Sequence, residues 1–175
     1  MLTALLRFVG LRPAAATFAR ESSPELPRTL RWQLQRPPRG PVLMLDIDGV
    51  LHPGQSGTLI YLPLLETWLR EQPGVDVVIS SNWRETHTLD ELRAFFSDDL
   101  RPRVIGCTPV LPDAHREDEI LFAVREYGIR TWAALDDRAQ EFPATAHSHL
   151  VATEYLDGIT AHSLLRLTTL LGAHA

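Results

Sequence analysis

The run Val42-Leu43-Met44-Leu45 is apolar at every position and is followed at once by Asp46-Ile47-Asp48-Gly49. A strand with one wet face alternates apolar and polar residues; a run without alternation reads as a strand covered on both faces, as in a parallel sheet. The same signature returns in Val75-Asp76-Val77-Val78-Ile79, Val104-Ile105-Gly106, Thr131-Trp132-Ala133-Ala134-Leu135 and His149-Leu150-Val151-Ala152. Helical stretches separate these runs. Leu62 to Glu71 is stopped by Pro73-Gly74, and Thr88-Leu89-Asp90-Glu91 has capping-box spacing and opens a helix through Phe96. Asp113 is placed to cap a helix ending at Tyr127 before Gly128, and Thr160 to cap the last one, Ala161 to Leu171. Strands alternating with helices predict an α/β domain: a parallel sheet of about five strands with helices on both faces.

Composition narrows the setting. The chain has 175 residues, enough for one domain with a substantial core and no need of cross-links. Cys107 is the only cysteine, which excludes an internal disulfide or a multi-cysteine zinc site and suits a reducing, cytoplasmic setting. No lysine is present; all 17 basic side chains are arginine. Residues 1–40 carry a net charge of +5 and residues 41–175 a net of −10. The Arg/Pro-rich segment 1–40 therefore reads as an extension, partly disordered or helical, and 41–175 as the folded domain. Its start has neither the length for a membrane span nor the form of a secretory signal. An acidic body does not advertise general nucleic-acid binding, although acids that hold a cation receive phosphates through it.

In open parallel sheets, ligands bind beyond the carboxyl ends of the strands. The polar residues collect there. Asp46 and Asp48 follow the first strand, Ser80, Ser81 and Asn82 the second, and Asp136 and Asp137 the fourth. Carboxylates brought together need a shared proton or a cation. Oxygen-only ligands suit a hard cation, and Mg²⁺, which accepts one or two carboxylates and keeps water and phosphate as its other partners, is the expected metal. A carboxylate can also attack phosphorus while a second carboxyl group moves the proton.

These residues resemble the haloacid dehalogenase-like (HAD) hydrolase superfamily. Asp46-Ile47-Asp48-Gly49-Val50 matches its D-x-D-G-[TV] motif, Val78-Ile79-Ser80-Ser81-Asn82 its Ser/Thr-terminated strand, and Leu135-Asp136-Asp137 its paired acids. The resemblance implies a three-layer Rossmannoid core with Asp46 as nucleophile and metal ligand and Asp48 as general acid/base. The Asp48 backbone carbonyl would join the metal site, completed by Asp136 with Asp137 as a second contributor. Ser81, rather than Ser80, is the expected phosphate-binding residue of the second motif, with Asn82 beside it. The third motif is usually Lys. Arg116, twenty residues before Asp136, is the candidate here, and His115 the alternative. Arg keeps the charge but not the shape of Lys. The run Ser80-Ser81-Asn82-Trp83-Arg84 and the later Asp157-Gly158-Ile159-Thr160 resemble a subgroup of small HAD domains found alone in bacteria and within RNA-repair (Swiss Army Knife) proteins.

Arg84 and His52 are additional expected substrate contacts, with Trp83 shaping the pocket; His147 and His149 read as structural. Only 26 residues separate Asp48 from Val75, too few for a cap domain beside the expected helix. The resemblance thus implies a capless, Mg²⁺-dependent phosphatase acting through an aspartyl-phosphate. Its phosphorylated partner is a small phosphoester, a nucleic-acid end or a phosphoprotein; a non-catalytic binding module is the alternative from another class.

Overall fold

A computed structural model describes residues 34–172. Most of the expected N-terminal extension, residues 1–33, lies outside the described residues. The five strands are β1 (Val42–Leu45), β2 (Asp76–Ile79), β3 (Val104–Cys107), β4 (Trp132–Asp136) and β5 (Leu150–Ala152). They form one sheet of order β3-β2-β1-β4-β5, and every pairing is parallel. The helices are α1 (Leu62–Glu71), α2 (Leu89–Ala94), α3 (Arg116–Glu126), α4 (Ala146–His149) and α5 (Ala161–Leu171).

The pleat divides the core into two layers. Leu43 and Leu45 of β1, with Val77 and Ile79 of β2, face α1, α2 and α5 through Leu65, Leu69, Leu92 and Leu167. Val42 and Met44, one residue out of phase, face the other side with Val78, Ile105, Trp132 and Ile120 of α3. All four β1 side chains are fully buried, which is why the run carries no polar position. Burial at roughly 25 cal/mol per Å² of apolar surface makes these two layers the main favourable term.

Capping matches expectation at two helices and departs from it at a third. Thr88 and Glu91 form the reciprocal box at α2, and Thr160 and Ser163 do so at α5. Asp113 instead takes a left-handed backbone conformation (φ 53°) and caps nothing. Helix α3 starts two residues later than that cap implied, behind His115, whose N–H donates to Asp118 Oδ2 at 3.0 Å. The short helix α4 and the three 3₁₀ turns among the described residues have no periodic signal, being too short to show one.

Described residues before position 41 pack against the sheet. Leu34 is buried, Gln35 N–H donates to the Ile105 carbonyl on the β3 edge, and Arg36 pairs with Asp76. Only a loop and α1 stand between β1 and β2, and residues 108–115 between β3 and α3 contain no helix or strand. The carboxyl edge is thus uncapped. No described helix is long and apolar enough to cross a membrane.

Candidate active site

The chain order places β2 and β3 on one side of β1 and β4 and β5 on the other, so the direction of winding reverses between β1 and β4. Connections on either side of that reversal diverge and leave a crevice at the carboxyl edge. Asp46 leaves β1 there, with its N–H still bonded to the Leu135 carbonyl of β4 at 3.0 Å. Asp136 is the last residue of β4. A cleft of about 310 Å³ opens at this point, lined by Asp46, Asp48, Ser81, Asn82, Arg116, Asp137, Gln55, Arg138 and Tyr155.

The acids divide into two environments. Asp46, Asp136 and Asp137 each offer a carboxylate oxygen within 4.8 Å of the others. Asp46 and Asp136 are buried and Asp137 is half-buried. Burial, reinforced by Asp46, pushes Asp136 up to about 7. The same two causes, burial first, raise Asp137. Asp136 Oδ1 accepts from Arg138 N–H at 2.8 Å, whereas its buried Oδ2 has no hydrogen-bond partner. Three crowded carboxylates with an unsatisfied buried oxygen are what an oxygen-coordinated divalent cation would relieve, so the donor set fits Mg²⁺. Gly49 lets Asp137 approach. A Cβ on that residue would stand 2.6 Å from the Asp137 carboxylate, and its φ of +65° also favours glycine.

Arg116 is the cation among these acids. It is the first residue of α3 and is 4 % exposed. Its Nη1 lies 2.8 Å from Asp46 Oδ1 and 3.2 Å from Asp136 Oδ2, charge contacts without hydrogen-bond angles. Its Nη2 donates to Asn82 Oδ1 at 2.8 Å. Burial works against the guanidinium charge, but Asp46 and Asp136 outweigh it and hold Arg116 above its ordinary value. His115, the alternative, is exposed and its ring faces Glu141 at 3.4 Å, outside the cleft lining.

Asp48 points elsewhere. Its Oδ1 lies 2.8 Å from His52 Nε2, and its Oδ2 accepts from Trp83 Nε1–H at 3.0 Å. Its side chain is absent from the three-acid cluster, although it lines the same cleft. Of the two serines, Ser81 lines the cleft, and its hydroxyl accepts from Trp83 N–H at 3.4 Å to start the 3₁₀ turn Asn82–Glu85. Ser80 is buried with its hydroxyl unpartnered.

Two expected substrate contacts do not reach the cleft. His52 is fully buried behind Asp48. Arg84 is 1 % exposed, and its Nη1 donates to the Ser80 and Ser81 carbonyls at 2.6 and 2.7 Å. Its Nη2 forms an ion pair with Glu119 of α3. Burial lowers Arg84 and raises Glu119, so desolvation works against both charges; the carbonyls on Arg84 and the Leu111 N–H on Glu119 (2.9 Å) offset that cost. Arg84 therefore fastens the Ser81 loop to the helix that carries Arg116. A phosphate role for it was attractive because sequence shows charge and not burial.

Three cleft residues escaped sequence reasoning: Gln55, Arg138 and Tyr155. Arg138 directly follows Asp136-Asp137, a position that could have drawn attention. Gln55 and Tyr155 carry no local signal. They meet because Gly54 N–H donates to the Tyr155 carbonyl at 2.7 Å, across a hundred residues of chain.

The core is an all-parallel α/β sheet with acids gathered at its switch point. The family described as the HAD domain in Swiss Army Knife RNA repair proteins matches residues 42–164, well over half of the chain. The protein belongs to that family and, through it, to the HAD superfamily. Comparison with curated proteins and with solved structures returned no match.

Proposed function

We propose that this protein is a Mg²⁺-dependent phosphomonoester hydrolase in which Asp46 is the nucleophile. The observation that carries the reading is the meeting of Asp46, Asp136 and Asp137 within 4.8 Å beside Arg116 on the wall of an open cleft. Asp46, Asp136 and Asp137, with the Asp48 backbone carbonyl, would hold the metal, which when bound offsets the charge on the transferring phosphoryl group.

The chain's own residues supply the rest. Ser81 and Asn82 border the cleft where phosphoryl oxygens would lie, and Arg116 adds a fixed positive charge beside Asp46. An Asp46 carboxylate oxygen forms the new bond to phosphorus as the ester P–O bond breaks. The proton of the Asp48 carboxyl group goes to the departing oxygen, leaving Asp48 as a carboxylate. That carboxylate then takes a proton from water as the water oxygen attacks the aspartyl-phosphate, releasing inorganic phosphate and restoring both acids.

Asp46→Asn is expected to reduce hydrolysis of an aryl phosphate in Mg²⁺ to background. Undiminished turnover by that variant would sink the mechanism. The uncapped edge and the RNA-repair setting of the family favour a second, narrower reading, a phosphatase of nucleic-acid ends. Comparing 3′- and 5′-phosphorylated oligonucleotides with sugar phosphates and phosphopeptides tests it: a preference for either of the latter rules it out.

A further inference from the structure

We infer that His52 and Trp83 are positioning residues that hold the Asp48 carboxyl group so that its proton can face only the cleft. This rests on the phosphatase reading and adds to it the means by which the acid is aimed. The proposal stands on three features of the geometry.

Each Asp48 oxygen has its own partner: His52 Nε2 at 2.8 Å on Oδ1, and Trp83 Nε1 at 3.0 Å on Oδ2. A carboxylate is acceptor-only, so His52 must present an N–H from Nε2 when Asp48 is ionised. The other ring nitrogen, Nδ1, is buried without a partner.

Both donors are rigid. His52 is fully buried and its backbone bridges Asp48 four residues earlier. Trp83 stacks on His87 with centroids 5.1 Å apart and meets Phe95 edge-on at 5.6 Å. Rigid donors fix the carboxyl plane at little entropic cost during reaction.

Neither donor lines the cleft, but Asp48 does. With one lone pair of each oxygen occupied from behind, a proton on Asp48 is left with the lone pairs that face solvent and substrate. In the first step that proton moves to the leaving oxygen as the P–O bond breaks; in the second Asp48 regains one from water. His52 and Trp83 exchange none.

A residue that aims an acid matters most when the leaving group needs protonation. A residue that merely supports the fold slows all esters alike. The test compares kcat/KM for p-nitrophenyl phosphate, whose leaving group departs unaided, with benzyl phosphate, whose alkoxide must be protonated. Asp48→Asn sets the scale. In His52→Leu and Trp83→Phe, kcat/KM for the benzyl ester is expected to fall roughly tenfold to a hundredfold and for the nitrophenyl ester by no more than about threefold, within the usual range of acid catalysis. His52→Gln, which restores a donor at a similar reach, is expected to recover most of the benzyl activity. Should His52→Leu fail to fold, Trp83→Phe and His52→Gln carry the comparison.

Equal losses on both esters in folded variants, or no loss, overturn the proposal while leaving the phosphatase reading intact. So does an Asp48→Asn variant that slows both esters alike. Absence of turnover on either ester by the unaltered chain overturns the phosphatase reading and this proposal together.

Discussion

Asp76 and Asp136 are both buried acids at strand termini, on opposite edges of the same sheet. Asp76 begins β2 at the amino edge, where Arg36 grips it with two hydrogen bonds (2.8 and 2.5 Å) and Arg39 N–H donates a third at 2.8 Å. Asp136 ends β4 at the carboxyl edge, where one oxygen lacks a hydrogen bond and Asp46 and Asp137 crowd it. Arg116 must serve Asp46 and Asp136 at once and forms good hydrogen-bond angles with neither. The first acid ties residues 36–39 to the sheet. The second belongs to a group of charges that the protein alone leaves incompletely balanced. Burial is alike at the two sites; what separates structure from chemistry is whether the partners are complete.

Exchanging the arginines breaks this comparison most forcefully. Arg116→Ala is expected to lower kcat/KM on an aryl phosphate by roughly a hundredfold to a thousandfold, the cost of removing one fixed group that stabilises transition-state charge. Arg36→Ala is expected to leave it within about twofold, because Arg36 lies at the other edge and interacts with Asp76. Similar losses in the two variants would show that the edges are not functionally distinct. Arg116→Lys keeps the charge without the fork that reaches Asn82, and an intermediate rate is the expected result.

A smaller effect concerns stability. Asp76→Asn removes the charge that Arg36 and Arg39 N–H address and is expected to cost about 1–3 kcal/mol in denaturant unfolding. Asp136→Asn in metal-free buffer should instead be neutral or stabilising above pH 7, since it removes a carboxylate that burial and Asp46 disfavour. The sign follows from linkage. A carboxyl group raised from 3.8 to about 7 holds its proton longer in the folded chain, so its contribution to stability is lost as pH rises through that window. Asp136→Asn should flatten that loss. A metal-free Asp136→Asn protein less stable than wild type at pH 8 would place Asp136 with Asp76 as a structural acid.

Smallest in magnitude, and the sharpest on metal, is the thermal shift produced by Mg²⁺. Wild-type protein should gain stability as Mg²⁺ rises, in proportion to the logarithm of its concentration above the dissociation constant. Asp136→Asn should lose most of that gain and Asp76→Asn none of it. An equal gain in all three proteins would mean that the ion binds outside the three-acid cluster.

Much of the carboxyl edge was legible in the chain. Asp46, Asp48, Ser81, Asn82 and Asp136 follow apolar runs whose strand identity local pattern decides, and the edge rule of parallel sheets then brings them together. Arg116 is reached from the chain only through the resemblance, as the candidate for the third motif's cation with His115 as the alternative. The surroundings of His52 and Arg84 are not legible in the chain, where both read as cleft contacts. Their side chains face inward, toward Asp48 in one case and Glu119 in the other. In the sequence, residues 34–40 read as part of the extension, because five prolines from residue 23 to residue 41 hide the contacts that Leu34, Gln35 and Arg36 make with the sheet.

The sequence by itself determined which segments are strands, that they lie parallel under two helical layers, and which edge collects the acids. Those properties follow from periodicity and chain order, which are local or nearly so. Only the tertiary structure decided how the acids are divided: Asp46 with Asp136, Asp137 and Arg116, and Asp48 with His52 and Trp83. Two carboxylates two residues apart show nothing of their separate surroundings in a sequence. They diverge because β4 and α3 supply the surroundings of one, and the turn after β2, with the chain's own loop after β1, those of the other.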